Sequence, residues 1–96
     1  MLLWAIYDIR SDKARRKVAR ACKKMGLYRV QKSVFLGQIE PNRFDELCLI
    51  SEKLISPNHD SVYLFPMCQK DFNKVITIGQ AFDEKLVTDE IRELFL

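Results

Sequence analysis

The first strand candidate, Leu2 to Ile9, is apolar on both of its faces. Side chains alternate along a strand, so Leu2, Trp4, Ile6 and Asp8 share one side while Leu3, Ala5, Tyr7 and Ile9 share the other. A strand with one wet side carries a polar residue at every second place, and this one has none before Asp8. It therefore belongs in the middle of a sheet, and something must cover each face of that sheet. The longest apolar run, Leu2 to Tyr7, is far short of the roughly 18 residues that a membrane span needs. No basic region precedes it, and Asp8 and Arg10 follow at once, which argues against a secretory leader and against a membrane role. With 96 residues, 48% of them hydrophobic, the chain has the size of a single domain spanning 1–96. A chain this short buries only about two-thirds of its unfolded surface, so self-association would add welcome burial.

Ser11 offers a helix N-cap and Gly26 a stop. Between them Ala14, Val18, Cys22 and Met25 recur at helical spacing, with Ala21 on the same side. Arg16, Arg20, Lys23 and Lys24 spread over the opposite side, and Arg15 and Lys17 flank the apolar stripe near the strand end that carries Asp8. A short strand near Tyr28–Val30, a kink at Gln31–Lys32 and a longer strand Ser33–Ile39 follow. Gly37 suggests a bulge or the close approach of another backbone. Pro41 and Asn42 open a second helix with Asn42 as its cap, and Phe44, Leu47, Cys48, Ser51, Leu54 and Ile55 form its inner face. Ser56-Pro57-Asn58 ends it, Asp60 to Met67 forms the next strand, Asp71–Asn73 a turn and Val75–Ile78 a further short strand. The amphipathic tail Ala81–Leu96 should dock on its own domain or on a partner.

The order β-α-β-β-α-β, plus an extra C-terminal strand and tail, predicts an α+β chain, a ferredoxin-like βαββαβ sandwich with both crossover helices on one sheet face. The other face is bare unless covered. The apolar second side of the first strand predicts a partner sheet, so a homodimer closed through the sheet face is the simplest solution.

Charge is segregated. Arg10 to Lys32 holds ten basic residues against one acid, a net +9, while the rest of the chain carries −6. Such a segment is the footprint of a polyanion partner, nucleic acid above all, and the alternative is a solvated basic face with no partner. The three cysteines, Cys22, Cys48 and Cys68, are spaced by 26 and 20 residues, which matches no metal-ligand template. Cys22 and Cys48 read as small apolar helix residues, and free thiols point to a reducing cytoplasm. His59, the single histidine, sits in a turn and supports neither a His-based metal cluster nor a Ser-His-Asp triad.

Asp8 is the residue least explained by caps and core, an acid closing an apolar strand beside a basic helix. It either pairs with Arg15 or Arg29, bonds backbone amides in the turn, or does chemistry. One carboxylate makes a weak Mg²⁺ site, and a two-fold axis near Asp8 would supply a second. Arg15, Lys17 and Arg29 would then hold phosphates, with Ser33 and Phe35 on the neighbouring strand. Phe35 reads as core more readily than as a base-stacking platform. The glycine- and aromatic-rich signature of sheets that stack single-stranded RNA is absent from Lys32-Ser33-Val34-Phe35-Leu36-Gly37.

Several motifs in order, namely Tyr7-Asp8-Ile9, Arg15 with Val18, Gly26-Leu27, Arg29-Val30-Gln31 and Ser33-Val34-Phe35 with Gly37, resemble the CRISPR-associated family two proteins over about Leu2 to Ile39. The resemblance implies a ferredoxin-like homodimer whose C-terminal region packs across onto the partner. It implies a metal-ligand aspartate at Asp8, which makes Asp8 the catalytic residue, and a divalent cofactor, Mg²⁺. It places a helix-one arginine at Arg15, another arginine at Arg29 and an aromatic at Phe35. A second helix-one arginine is replaced by Lys17, which keeps the charge and loses the planar fork. The family further implies a role in spacer acquisition. There the dimer bridges a CRISPR-associated integrase, double-stranded DNA lies on a surface such as that of Arg15, Arg16, Lys17, Arg20, Lys23 and Arg29, and members are assigned a metal-dependent endonuclease activity on RNA or DNA. A purely non-catalytic DNA-bridging scaffold and a toxin-like ribonuclease of related fold are the alternative readings.

Overall fold

The structure, a computed structural model, describes residues 1–82. Its elements are β1 (Leu2–Asp8), α1 (Asp12–Lys24), β2 (Tyr28–Gln31), β3 (Val34–Gln38), α2 (Pro41–Leu54), β4 (Ser61–Met67) and a four-residue α3 (Gln69–Phe72). The strands form one antiparallel sheet in the order β2-β3-β1-β4, the ferredoxin-like arrangement. β1 is central, as its two apolar faces require. It pairs with β3 from Leu2↔Gln38 to Ile6↔Val34 and with β4 from Leu2↔Met67 to Asp8↔Ser61. Pro66 lies within β4, an edge strand, where a missing N–H leaves no gap in a central ladder.

Both sheet faces carry a core. On the helix side Leu3, Ala5, Tyr7 and Ile9 pack with Val18, Cys22, Phe35 and Leu47. On the other side Leu2, Val30 and Leu36 pack with Phe72, and Trp4, Val34, Met67, Val75 and Phe82 close around them. Each large side chain fully buried in this way stabilises the fold by about 1.5–3 kcal/mol relative to exposure. The second face has a cover besides the partner sheet expected there. Part of that cover comes from the chain's own α3 and the segment after it: the Trp4 ring lies 6.2 Å from Phe72 and 6.4 Å from Phe82. The β4 side of that face stays open, with Tyr63 and Phe65 54% and 47% exposed and stacked on each other at 6.1 Å.

Three local expectations change. The cap of α2 is Glu40, not Asn42, because Pro41 already occupies the first helical turn. The Asp71–Asn73 turn lies where α3 ends. The segment Val75–Ile78 forms no strand: Ile76 and Ile78 are 82% and 88% exposed, and among the described residues no strand pairs with the segment. Gly37 does mark a close backbone approach. A Cβ there would meet Gly26 O and Leu27 Cα at 3.2 Å, while the bulge falls instead between Arg29 and Gln31. Of the tail 81–96, residues 83–96 lie outside the described residues, and Phe82 packs on Trp4 of its own chain.

Candidate nucleic-acid interface

α1 is built to present cations. The Ser11 hydroxyl caps it by accepting the Ala14 amide at 3.2 Å, and Lys23 and Lys24 sit in its last turn, where they complement the helix dipole. Val18, Ala19, Ala21 and Cys22 face the core, which leaves Arg16, Arg20 and Lys23 to solvent. Between α1 and the β2–β3 turn runs an open groove of about 750 Å³, lined by Arg15, Arg16, Arg20, Lys23, Arg29 and Lys32, with Ser33 and the single acid Asp12. It gathers all but one of the nucleic-acid-binding residues expected from the sequence. Lys17 is exposed on α1 and is not part of the lining. Lys32, brought in by the turn, adds a cation that helical spacing does not point to.

The turn opposite α1 is locked. Arg29 donates Nε and Nη2 to the Lys32 carbonyl at 3.1 and 2.7 Å, and the Tyr7 hydroxyl donates to the same oxygen at 3.2 Å. Burial pushes the Tyr7 phenol above its ordinary value despite the downward pull of the neighbouring Arg29 guanidinium, so the hydroxyl keeps the proton it donates. The Arg29 guanidinium lies over Phe35, 5.5 Å from the ring centre. Phe35 itself is 0% exposed, so it is core and offers no face to a base. Its supporting role is to carry Arg29.

Neither arginine pairs with Asp8. Arg15 donates Nη1 to the carbonyls of Ile9 at 2.9 Å and Arg10 at 3.2 Å, and Nη2 forms an ion pair with Asp12. Arg15 thus lines the groove with Nη1 committed to the β1–α1 loop and Nη2 to Asp12 at the start of α1. Asp8 is exposed at the end of β1, opposite Ser61 on β4 and on the same sheet face as Trp4 and Ile6. It is not part of the groove lining. A residue that sequence reasoning passed over holds the loop from the other side. Asp60 accepts the Arg10 amide at 3.0 Å and the Ser56 amide at 2.9 Å. These two amides, that of Arg10 above all, hold its carboxyl below the usual aspartate value. The signal was an aspartate closing a Pro-Asn turn, a residue that bonds nearby amides.

No described group of three or more His, Cys, Asp or Glu side chains is placed to hold a metal ion. Asp8 alone supplies one carboxylate, so the described part of one chain does not amount to a magnesium site. The three cysteines are free; burial pushes the Cys22 thiol up to about 12, so it is no nucleophile. His59 is exposed, and among the described residues no helix is long and apolar enough to cross a membrane.

Comparison with known proteins gives the family and the fold. Residues 1–75 match the family model of the CRISPR associated protein Cas2. A protein of Desulforudis audaxviator named CRISPR-associated endoribonuclease Cas2 is 40% identical over 81 residues, covering 82% of this chain and 76% of its own. One from Archaeoglobus fulgidus, named CRISPR-associated endoribonuclease Cas2 1, is 35% identical and covers 82% and 84%. The crystal structure of Streptococcus pyogenes Cas2 at pH 6.5 superposes with a TM-score of 0.69 at 27% identity, covering 82% of this chain and all 100% of that one. Matched in sequence over most of its length and in fold by a solved member, the chain belongs to the CRISPR associated protein Cas2 family.

Proposed function

We propose that this protein is a cytoplasmic CRISPR adaptation protein, a homodimer that holds nucleic acid on its α1 face and bridges it to an integrase. The observation that carries this reading is the groove lined by Arg15, Arg16, Arg20, Lys23, Arg29 and Lys32. Cations facing one groove, with Phe35 buried beneath Arg29 and no aromatic in the lining, suit phosphates rather than base edges, and so favour duplex DNA held without regard to sequence. The uncovered Tyr63 and Phe65 on β4 support a second copy against the sheet face. The test is the salt dependence of duplex binding. With Arg16, Arg20 and Lys23 each changed to Glu, the slope of log affinity on log salt should fall in magnitude by about 0.9 for every phosphate that the variant no longer neutralises. An unchanged slope and affinity would remove the proposal.

A second activity rests on Asp8, whose exposed carboxylate accepts no hydrogen bond and joins no ion pair among the described residues. In a homodimer closed near that strand end, two Asp8 carboxylates offer the donors that one chain lacks. Mg²⁺ held there would neutralise charge on a phosphodiester and lower the pKa of a bound water. Within that arrangement Asp8 binds the ion. The endoribonuclease names of the relatives support RNA as the substrate that is cut.

A further inference from the structure

β1 loses its β3 partner before it reaches Asp8. The last paired residue is Ile6, opposite Val34, and one more bond runs from the Tyr7 amide to Ser33 O at 3.1 Å. From there Asp8 is held on its β4 side alone, opposite Ser61. The residue before Ser61 is Asp60, and its carboxylate reaches across to the Arg10 amide at 3.0 Å. Its other oxygen takes the Ser56 amide at 2.9 Å, while the Asp60 amide returns to Ser56 O at 2.8 Å. The turn Ser56–Asp60 is thus closed on itself, and the carboxylate is fixed before it meets the loop.

We infer that Asp60 is a positioning residue for Asp8: it clamps the β1–α1 loop at Arg10 and thereby sets where the Asp8 carboxylate stands. The loop is gripped from both sides, its amide by Asp60 and its carbonyls at Ile9 and Arg10 by Arg15. The two grips are complementary, an anion on an N–H and a cation on two C=O groups, and each is a charge-assisted hydrogen bond. Asp60 touches neither the groove nor Asp8 itself, so its effect on chemistry passes through the backbone. The inference uses the endonuclease reading only for its catalytic readout.

The test compares wild type, Asp60→Ala and Asp60→Asn as full chains. Asparagine keeps an oxygen for one amide and loses the charge. Hydrogen exchange at the Arg10 amide should quicken by about tenfold in Asp60→Ala, the scale of one bond to a charged acceptor, and return most of the way in Asp60→Asn. With Mg²⁺ and a single-stranded RNA, kcat should fall by about tenfold in Asp60→Ala with KM unchanged, and Asp60→Asn should recover it. Arg10 exchange equal in wild type and Asp60→Ala overturns the inference, as does a loss of kcat that asparagine does not restore. A wild type that cuts no RNA sinks the endonuclease reading instead, and Arg10 exchange together with the Asp8 amide chemical shift then decides the clamp.

Discussion

The Arg29 guanidinium lies 5.5 Å from the centre of the buried Phe35 ring, and the same ring stacks at 6.3 Å on Tyr7. One arginine is therefore both a groove cation and the brace of the β2–β3 turn. A lysine keeps the charge and loses the fork on Lys32 O and the flat contact with the ring. Arg29→Lys should lower stability to urea by about 1–2 kcal/mol, from one ring contact and part of a charge-assisted bond. An unfolding midpoint equal to that of wild type would mean that the stack carries no stability.

Asp8 and the groove are separate places on the molecule, since Asp8 lies on the sheet face away from α1 and α2 and is not among the groove residues. Asp8→Ala should abolish Mg²⁺-dependent cleavage and leave duplex affinity within about twofold of wild type, because every groove cation is still in place. Removing the metal with a chelator should do the same to the unmodified protein. The checks are a cleavage gel and fluorescence anisotropy on the same preparations. A parallel loss of both activities would contradict the separation.

The acid limb of stability should carry a signature of Asp60. Its carboxyl titrates lower in the folded chain than in the unfolded one, chiefly through the Arg10 amide and next through that of Ser56. Its contribution is present above the unfolded value of about 3.9 and is lost as pH falls through the lower folded value. Nearby His59 and Arg10 reinforce the shift. Between about pH 5 and about pH 2, wild type should lose more Tm than Asp60→Ala, because the variant has no such bond left to lose. Parallel curves would show that the clamp contributes nothing to folding.

α2 offers a test of polar satisfaction. Ser51 is buried and its hydroxyl has no hydrogen-bond partner among the described residues. Ser51→Ala removes that oxygen and adopts a better helix former, so stability to urea should rise by about 1 kcal/mol. A loss of stability would reveal a partner for the hydroxyl, such as a buried water.

Much of this was legible in the chain itself. The two-sided apolarity of Leu2–Ile9 required a central strand with cover on both faces, and the spacing of Ala14, Val18 and Cys22 oriented α1 so that its cations face away from the core. What periodicity does not encode is which distant segment supplies the cover. Phe72 ends the single-turn α3, Val75 and Phe82 lie in irregular chain beyond it, and only tertiary contact reveals that they close on Trp4 and its neighbours. Within the site, residue type fixed the charge of Arg15 but not its commitment, because its acceptors are main-chain carbonyls that any sequence possesses. Asp60 escaped notice for the converse reason: its partner amides carry no side-chain signal.

The cysteines report on the packing of the two helices. Burial lifts the Cys22 thiol to about 12, and burial followed by the Asp45 charge lifts that of Cys48, while Cys68 is exposed. The thiolate is the nucleophile toward iodoacetamide, so reaction follows both access and the fraction ionised. At about pH 8 the exposed Cys68 should be alkylated first, Cys48 more slowly and Cys22 only when the fold opens. The raised Cys22 value also carries a stability consequence. The neutral thiol favours the folded chain fully below the unfolded value of about 8.5, and that contribution declines as pH rises towards the folded value. Mass spectrometry of timed alkylation, native and in urea, separates the three sites. Early labelling of Cys22 in the native protein would mean that α1 does not seal the core at Val18 and Cys22.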